Sequence, residues 1–240
     1  MQKNKPSVRL IGTALAELFT VITIVKVIGS GQWERVFLAF GTLLLVLLPA
    51  GLEKLLHCKL SLPLYIFGLF YAIGPALGHC WNFYYTIHWW DRMLHVFGGV
   101  AFALVGASLF ERMAEGKQKR ITVALFGLIF SIAIAALWEF VEFGADRFLG
   151  LDMQDDTVVT HICSYLLGEQ AGVTGRIDGI QSVIVNGTAL PVAGYIDIGL
   201  FDSMLDMLLE SLGALVTSLY LWLDKGRHPL IQTVDKEKVQ

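Results

Sequence analysis

Six apolar runs, each close to the ~20 residues a helix needs to cross a bilayer, constrain this chain more than any other feature. They lie near Val8–Ile28, Val36–Ala50, Leu60–His79, Met93–Phe110, Ile121–Gly144 and Ser203–Leu223. Lipid offers no water to backbone N–H and C=O groups, so a continuous apolar run of this length satisfies them internally as a helix. Hydrophobic residues make up 55% of the chain against 16% charged, and the mean hydropathy is +0.62, too apolar for an ordinary soluble domain. The expected fold class is therefore all-α: a polytopic membrane helical bundle of about six transmembrane helices.

The connecting segments alternate in charge. Lys3, Lys5 and Arg9, then Lys54 and Lys59, then Arg112, Lys117, Lys119 and Arg120, then Lys225, Arg227, Lys236 and Lys238 fall on one side. The positive-inside rule makes that side cytoplasmic and puts both termini there. The apolar start reaches Ile28 with no small-residue cleavage site after it, so it reads as a retained span. Trp81, Tyr84, Tyr85, Trp89 and Trp90 suit an interfacial belt on the opposite side. The basic residues sit in short loops and form no groove, and a net charge of −3 gives no sign of nucleic-acid binding. Cys58, Cys80 and Cys163 lack metal-knuckle spacing and suggest no disulfide framework.

These features divide the chain into residues 1–146 holding spans one to five, an outer loop insertion over 147–201, a sixth span over 202–224 and a cytoplasmic tail over 225–240. The insertion opens acidic, with Asp152, Asp155 and Asp156. A short helix is expected around Val158–Leu167. Ser182–Val185, Asn186-Gly187 and Thr188–Leu190 predict a β-hairpin, because Asn-Gly supplies the positive φ angles of a two-residue primed turn. The insertion is either a surface ornament or a lid.

The fifth run ends in Ala-Leu-Trp-Glu-Phe-Val-Glu-Phe-Gly-Ala-Asp, residues 136–146. At ~100° per residue, Glu139, Glu142 and Asp146 share one helical face. Each charge near the bilayer centre costs ~2.5–3.5 kcal/mol on insertion scales, so that face turns to protein, water, a cation or protons. The fourth run opens with Asp91 and His95 one turn apart, and the sixth with Asp202, Asp206 and Glu210 at successive turns. At ~1.5 Å per residue these groups fall at matching depths on three helices: Asp91, Asp146 and Asp202 at the outer rim, His95, Glu142 and Asp206 one turn deeper, Glu139 and Glu210 deeper still.

Crowded carboxylates in low dielectric cannot all ionise; some hold protons or share a cation. Arg92 and His95 are the only cations these motifs supply. Oxygen donors with one imidazole suit a divalent ion such as Mg²⁺, Mn²⁺, Ca²⁺ or Zn²⁺. The expected ligands are Asp91, His95, Glu142, Asp202 and Asp206, with Glu139 and Glu142 as acid–base candidates. The competing reading is a set of interhelical hydrogen bonds and Arg92 ion pairs that only hold the bundle.

Trp-Asp-Arg-Met-Leu-His followed by Gly98-Gly99, then Leu-Trp-Glu-Phe-Val-Glu, then Asp-Ser-Met-Leu-Asp-Met with Gly213-Ala214 behind it resembles the YjdF-like family of bacterial inner-membrane proteins over the last three spans. That family's pattern is an Asp and His opening one helix, a Trp-Glu-x-x-Glu helix and an Asp-Thr-Met-x-x-Asp-like stretch. Ser203 stands where Thr is usual, and Gln154–Thr157, Gln-Asp-Asp-Thr, is a second match to the last stretch. The resemblance implies a bacterial cytoplasmic membrane location, a topology and a site, and no activity.

Three function classes fit these residues. A metal could activate water toward a lipid or envelope substrate, with Glu139 or Glu142 as general base. The same acids could pass a cation or proton toward Glu17 in the first span, although no broken-helix repeat is visible. A membrane sensor or partner protein could use the cluster structurally. Beyond the bilayer no partner can be read, nor an oligomeric state. His79 and His88 read as polar anchors, His161 as part of a lid or as loop surface, and Gly99, Ala103 and Ala107 as packing positions.

Overall fold

The computed structural model describes residues 7–55, 57–114, 116, 118–224 and 231–233. Helix α1 is Val8–Ile28, α2 Trp33–Val46 and α3 Leu48–Leu55; strand β1, Cys58–Leu60, precedes α4, Leu62–Cys80. The short α5, Phe83–Thr86, leads to α6, Trp90–Met113, and α7, Arg120–Leu149. Strands β2 (Val158–Val159), β3 (His161–Ser164), β4 (Gly175–Asp178), β5 (Ile184–Val185), β6 (Thr188–Ala189) and β7 (Tyr195–Ile196) follow, then α8, Leu200–Leu223, and β8, Ile231–Thr233.

Among the described residues, six helical segments are long and apolar enough to cross a membrane, in the order expected. The second is longer than its apolar run. It covers Arg35–Leu55 as α2 and α3 with a break at Leu47. Pro49 is in the first turn of α3, where a missing N–H costs least. Ser7 caps α1 by accepting the Leu10 N–H at 3.2 Å, a side-chain acceptor for one of the amides a helix start leaves open.

Contacts divide the chain into two compact units, one holding the residues up to Ala135 and from Leu209 onward, the other Ala136–Leu208. In the first unit the usual inside–outside pattern of side-chain size is reversed. Helix α1 buries Ala16, Thr20, Thr23 and Val27 and exposes Leu15, Leu18, Ile22 and Val25. Lipid tails solvate large apolar groups at no cost, while small residues and threonines let helices approach. Thr20 and Thr42 return their hydroxyls to the carbonyls of Ala16 and Leu38, both at 2.9 Å.

At one end of this unit Lys26 donates to the Cys80 carbonyl at 2.9 Å and lies 3.9 Å from the Trp81 ring centroid, Trp81 donates to Thr23 at 3.0 Å, and Arg35 reaches Asn82 at 3.2 Å. At the other, Arg9 pairs with Glu53 at 2.6 Å and donates to the Leu60 carbonyl, and β1 pairs antiparallel with β8. These ties join the α1–α2 and α4–α6 connections at one end and the α3–α4 connection with the strand after α8 at the other, as alternating spans require. Lys3, Lys5, Lys117, Lys225, Arg227, Lys236 and Lys238, which carry much of the charge argument, lie outside the described residues.

The second unit contains the end of α7, the strand pairs and the start of α8. Residues 158–167 are not the short helix expected. They form β2 and β3, paired antiparallel with β7 and β4, and only Tyr165–Leu167 makes a 3-10 turn. Val158, Val159, Thr160 and Ile162 are β-branched, and a strand accommodates their stiff χ1 better than a helix. The hairpin is present: β5 pairs with β6 across Asn186 and Gly187, at φ 51° and 83°, a two-residue primed turn.

Candidate metal centre

Helix α6 begins with Asp91 in its first turn, where a carboxylate complements the helix dipole. One turn later His95 has its side chain only 10% exposed. Its Nε2 lies 3.6 Å from Asp91 Oδ1, and its Nδ1 lies 3.9 Å from Glu210 Oε2 on α8. The imidazole thus presents one nitrogen to each carboxylate.

Glycine brings α8 close enough for this. A Cβ at Gly99 would overlap the Glu210 carbonyl oxygen, and one at Gly213 would overlap that of Val96. The two backbones are packed face to face, and no other residue fits either position without separating the helices. Gly98 faces the same region; a Cβ there would stand 2.9 Å from the Tyr71 hydroxyl and 3.6 Å from Glu210 Oε2.

Helix α8 runs without interruption through Asp206 and Glu210, four residues apart and therefore on one face. Asp206 is 1% exposed. Asp91, His95 and Asp206 each offer one ligand atom, all within 4.8 Å of one another. The centre of a triangle with such sides is within about 2.8 Å of each corner, so movements of a few tenths of an ångström reach the 2.3–2.6 Å of Ca²⁺ and slightly larger ones the ~2.0–2.2 Å of Zn²⁺. Of the five expected ligands this group holds three; Glu142 and Asp202 are not in it.

Glu139 and Glu142 are both buried on α7, while Leu137, Phe140, Val141 and Phe143 around them are exposed. The acid stripe therefore turns away from the lipid-facing side, as its spacing predicts. Trp138 donates its indole N–H to Glu142 Oε1 at 2.8 Å, an i,i+4 bond that orients the carboxylate.

The rim acids bond the outer loop. Asp146 accepts the amides of Met153 at 2.6 Å and Gln154 at 2.9 Å, and Asp202 accepts that of Asp155 at 2.9 Å. Gln154 also donates to Ser203. The two sequence stretches that compete as the third motif thus lie against each other. Asp197 accepts from Thr157 and Phe201, both at 2.8 Å, closing the strand end onto the first turn of α8. Burial, with Asp152 and Asp197 nearby, pushes the Asp156 carboxyl above its ordinary range.

Arg92, the other cation of the motif, is exposed. His79 stacks edge-on with Tyr84 at 4.6 Å, and His88 and His161 are exposed. Glu17 is half-buried in α1. Sequence reasoning placed Glu210 among the deep acids without assigning it to His95, and it missed Tyr71. A tyrosine within an apolar helix carries no periodic signal; only the pairing with Gly98 could have revealed it.

Comparison with curated proteins and with solved structures found no match to this chain. Comparison with family models did: the model of the family described as predicted membrane protein (DUF2238) matches residues 11–227. The motif-bearing spans all fall inside that match, and the resemblance drawn from Trp90–His95, Leu137–Glu142 and Asp202–Met207 agrees with it. The chain is a member of the DUF2238 family of predicted membrane proteins.

Proposed function

We propose that this protein binds one divalent cation within the membrane through Asp91, His95 and Asp206. The observation that carries the reading is the approach of two carboxylates and an imidazole to within 4.8 Å, on helices long and apolar enough to cross a membrane. In such surroundings like charges repel strongly, and a shared cation is the most direct relief. The mixed oxygen and nitrogen donor set favours Mn²⁺ or Zn²⁺ over Ca²⁺ and Mg²⁺, which prefer oxygen alone.

His95 is suited to this role by its second contact. A metal-ligating histidine commonly gives its other ring nitrogen to a carboxylate, which fixes tautomer and ring orientation. With Nε2 toward Asp91 and Nδ1 toward Glu210, Nε2 is the ligand and Glu210 the orienting group. Three protein ligands leave coordination positions for water or substrate oxygen, the arrangement of catalytic rather than structural sites. This supports metal-assisted hydrolysis of a lipid or envelope substrate, with the buried Glu139 and Glu142 as acid–base groups. The charge alternation supports both termini on the cytoplasmic side and the centre in the outer half of the membrane, and the family resemblance supports a bacterial cytoplasmic membrane.

Metal analysis of the full chain purified in detergent, dialysed against a trace-metal mixture, tests the reading. The wild type is expected to retain about one ion per chain and Asp206→Asn well under a tenth of that, since removing one of the two ligand charges weakens a site strongly. Equal retention by both proteins, or none by either, would contradict it.

A further inference from the structure

Tyr71 lies on α4, a helix that none of the sequence motifs touches. Its ring meets Phe102 edge-on at 6.3 Å, and its hydroxyl points to the place where a Gly98 side chain would begin. That place is 2.9 Å from the hydroxyl and 3.6 Å from Glu210 Oε2, so the two oxygens line the same gap, at most about 6.5 Å apart. The phenol also lies within electrostatic range of both Glu210 and Asp91. A Cβ at position 98 would crowd the hydroxyl and touch the carboxylate.

We propose that Tyr71 is a positioning residue of the cation site: its hydroxyl donates to the Glu210 carboxylate, directly or through one water, and by holding Glu210 it sets the imidazole of His95. Gly98 is the opening that makes the contact. The inference rests on the cation-binding reading and extends it to a third helix. An indole or phenol at this depth is costly unless its polar atom has a partner, and a carboxylate that orients a histidine is itself held by hydrogen bonds in well-built sites.

The test is Zn²⁺ and Mn²⁺ titration of the detergent-purified full chain as wild type, Tyr71→Phe, Gly98→Ala and the double variant, with the thermal midpoint of each metal-free protein measured alongside. Tyr71→Phe keeps the ring and its packing on Phe102 and removes one oxygen. It is expected to weaken cation affinity about tenfold, the lower end for loss of a group that supports a ligand, and to leave the metal-free midpoint unchanged. Gly98→Ala should weaken binding to a similar extent, and the double variant no further than the weaker single one, because both break one contact. Wild-type affinity in Tyr71→Phe, fully additive losses, or a loss matched by a lower metal-free midpoint would each overturn the assignment. Absence of binding by the wild type would overturn the reading beneath it, a different result.

Discussion

His95→Ala is expected to lower cation affinity at least about a hundredfold. The substitution removes the only nitrogen donor of the group, leaving two carboxylates that would have to hold the ion alone, and it strips Glu210 of the ring it faces. Loss of a supporting partner alone typically costs 10–100-fold, so loss of the ligand sets that range as a floor. Competition titration with a chromogenic chelator measures it. Arg92→Ala is the matched comparison: it changes a charge three positions earlier on the same helix, at an exposed side chain, and is expected to bind as the wild type does. If both variants lose affinity equally, a general electrostatic field rather than a ligand set explains the binding.

Gly99→Ala is expected to prevent α6 and α8 from pairing, with a large loss of stability for a single added methyl group. The new Cβ would overlap the Glu210 carbonyl oxygen and come within 2.8 Å of the Ala214 nitrogen. Both obstacles are backbone, so no rotamer change relieves them; the helices must separate. Overpacking of a well-fitted interior costs 1–3 kcal/mol and sometimes more, and a backbone obstacle places this substitution at about 3 kcal/mol or above. Gly41→Ala serves as the comparison, because a Cβ there meets nothing within 4 Å and alanine favours a helix. Monodispersity and thermal midpoint in detergent should collapse for the first and hold for the second. Similar midpoints for the two would mean that α6 and α8 do not rely on this contact.

What could be read from the sequence follows from what each signal measures. Hydropathy over a bilayer's thickness reports an element's environment, so all six spans were legible. Arg35–Leu55 came out short because its apolar run thins at Glu53 and Lys54, two residues that charge a helix end without ending it. The Asn186-Gly187 turn was legible because its backbone angles are demanded by the residues themselves. The 158–164 strands were not: Val-Val-Thr-His-Ile-Cys-Ser is too short for periodicity to separate helix from strand, and its partners at 175–178 and 195–196 are distant in sequence.

The candidate site was legible in part for a related reason. Matching depth on helices of known rise put His95 and Asp206 at one level with Asp91 one turn above them, and the structure groups the three. Depth says nothing of the nearest donor. Asp146 and Asp202 sit at the rim beside a returning loop whose amides they accept, and a carboxylate accepts an N–H as readily as it binds an ion. Gly99 looked like a packing residue and is; Gly213, which stood out only as part of the third motif, packs in the same way. Their consequence, that Glu210 is carried up to His95, required knowing which helices meet.

X-ray absorption at the metal edge of the purified, zinc-loaded protein tests the central claim most directly, since it reads the ligands themselves. The account predicts an oxygen-rich shell at about 2.0–2.2 Å with the scattering signature of a single imidazole, and loss of that signature in His95→Ala. A shell without imidazole in the wild type, or one unchanged by His95→Ala, would contradict it.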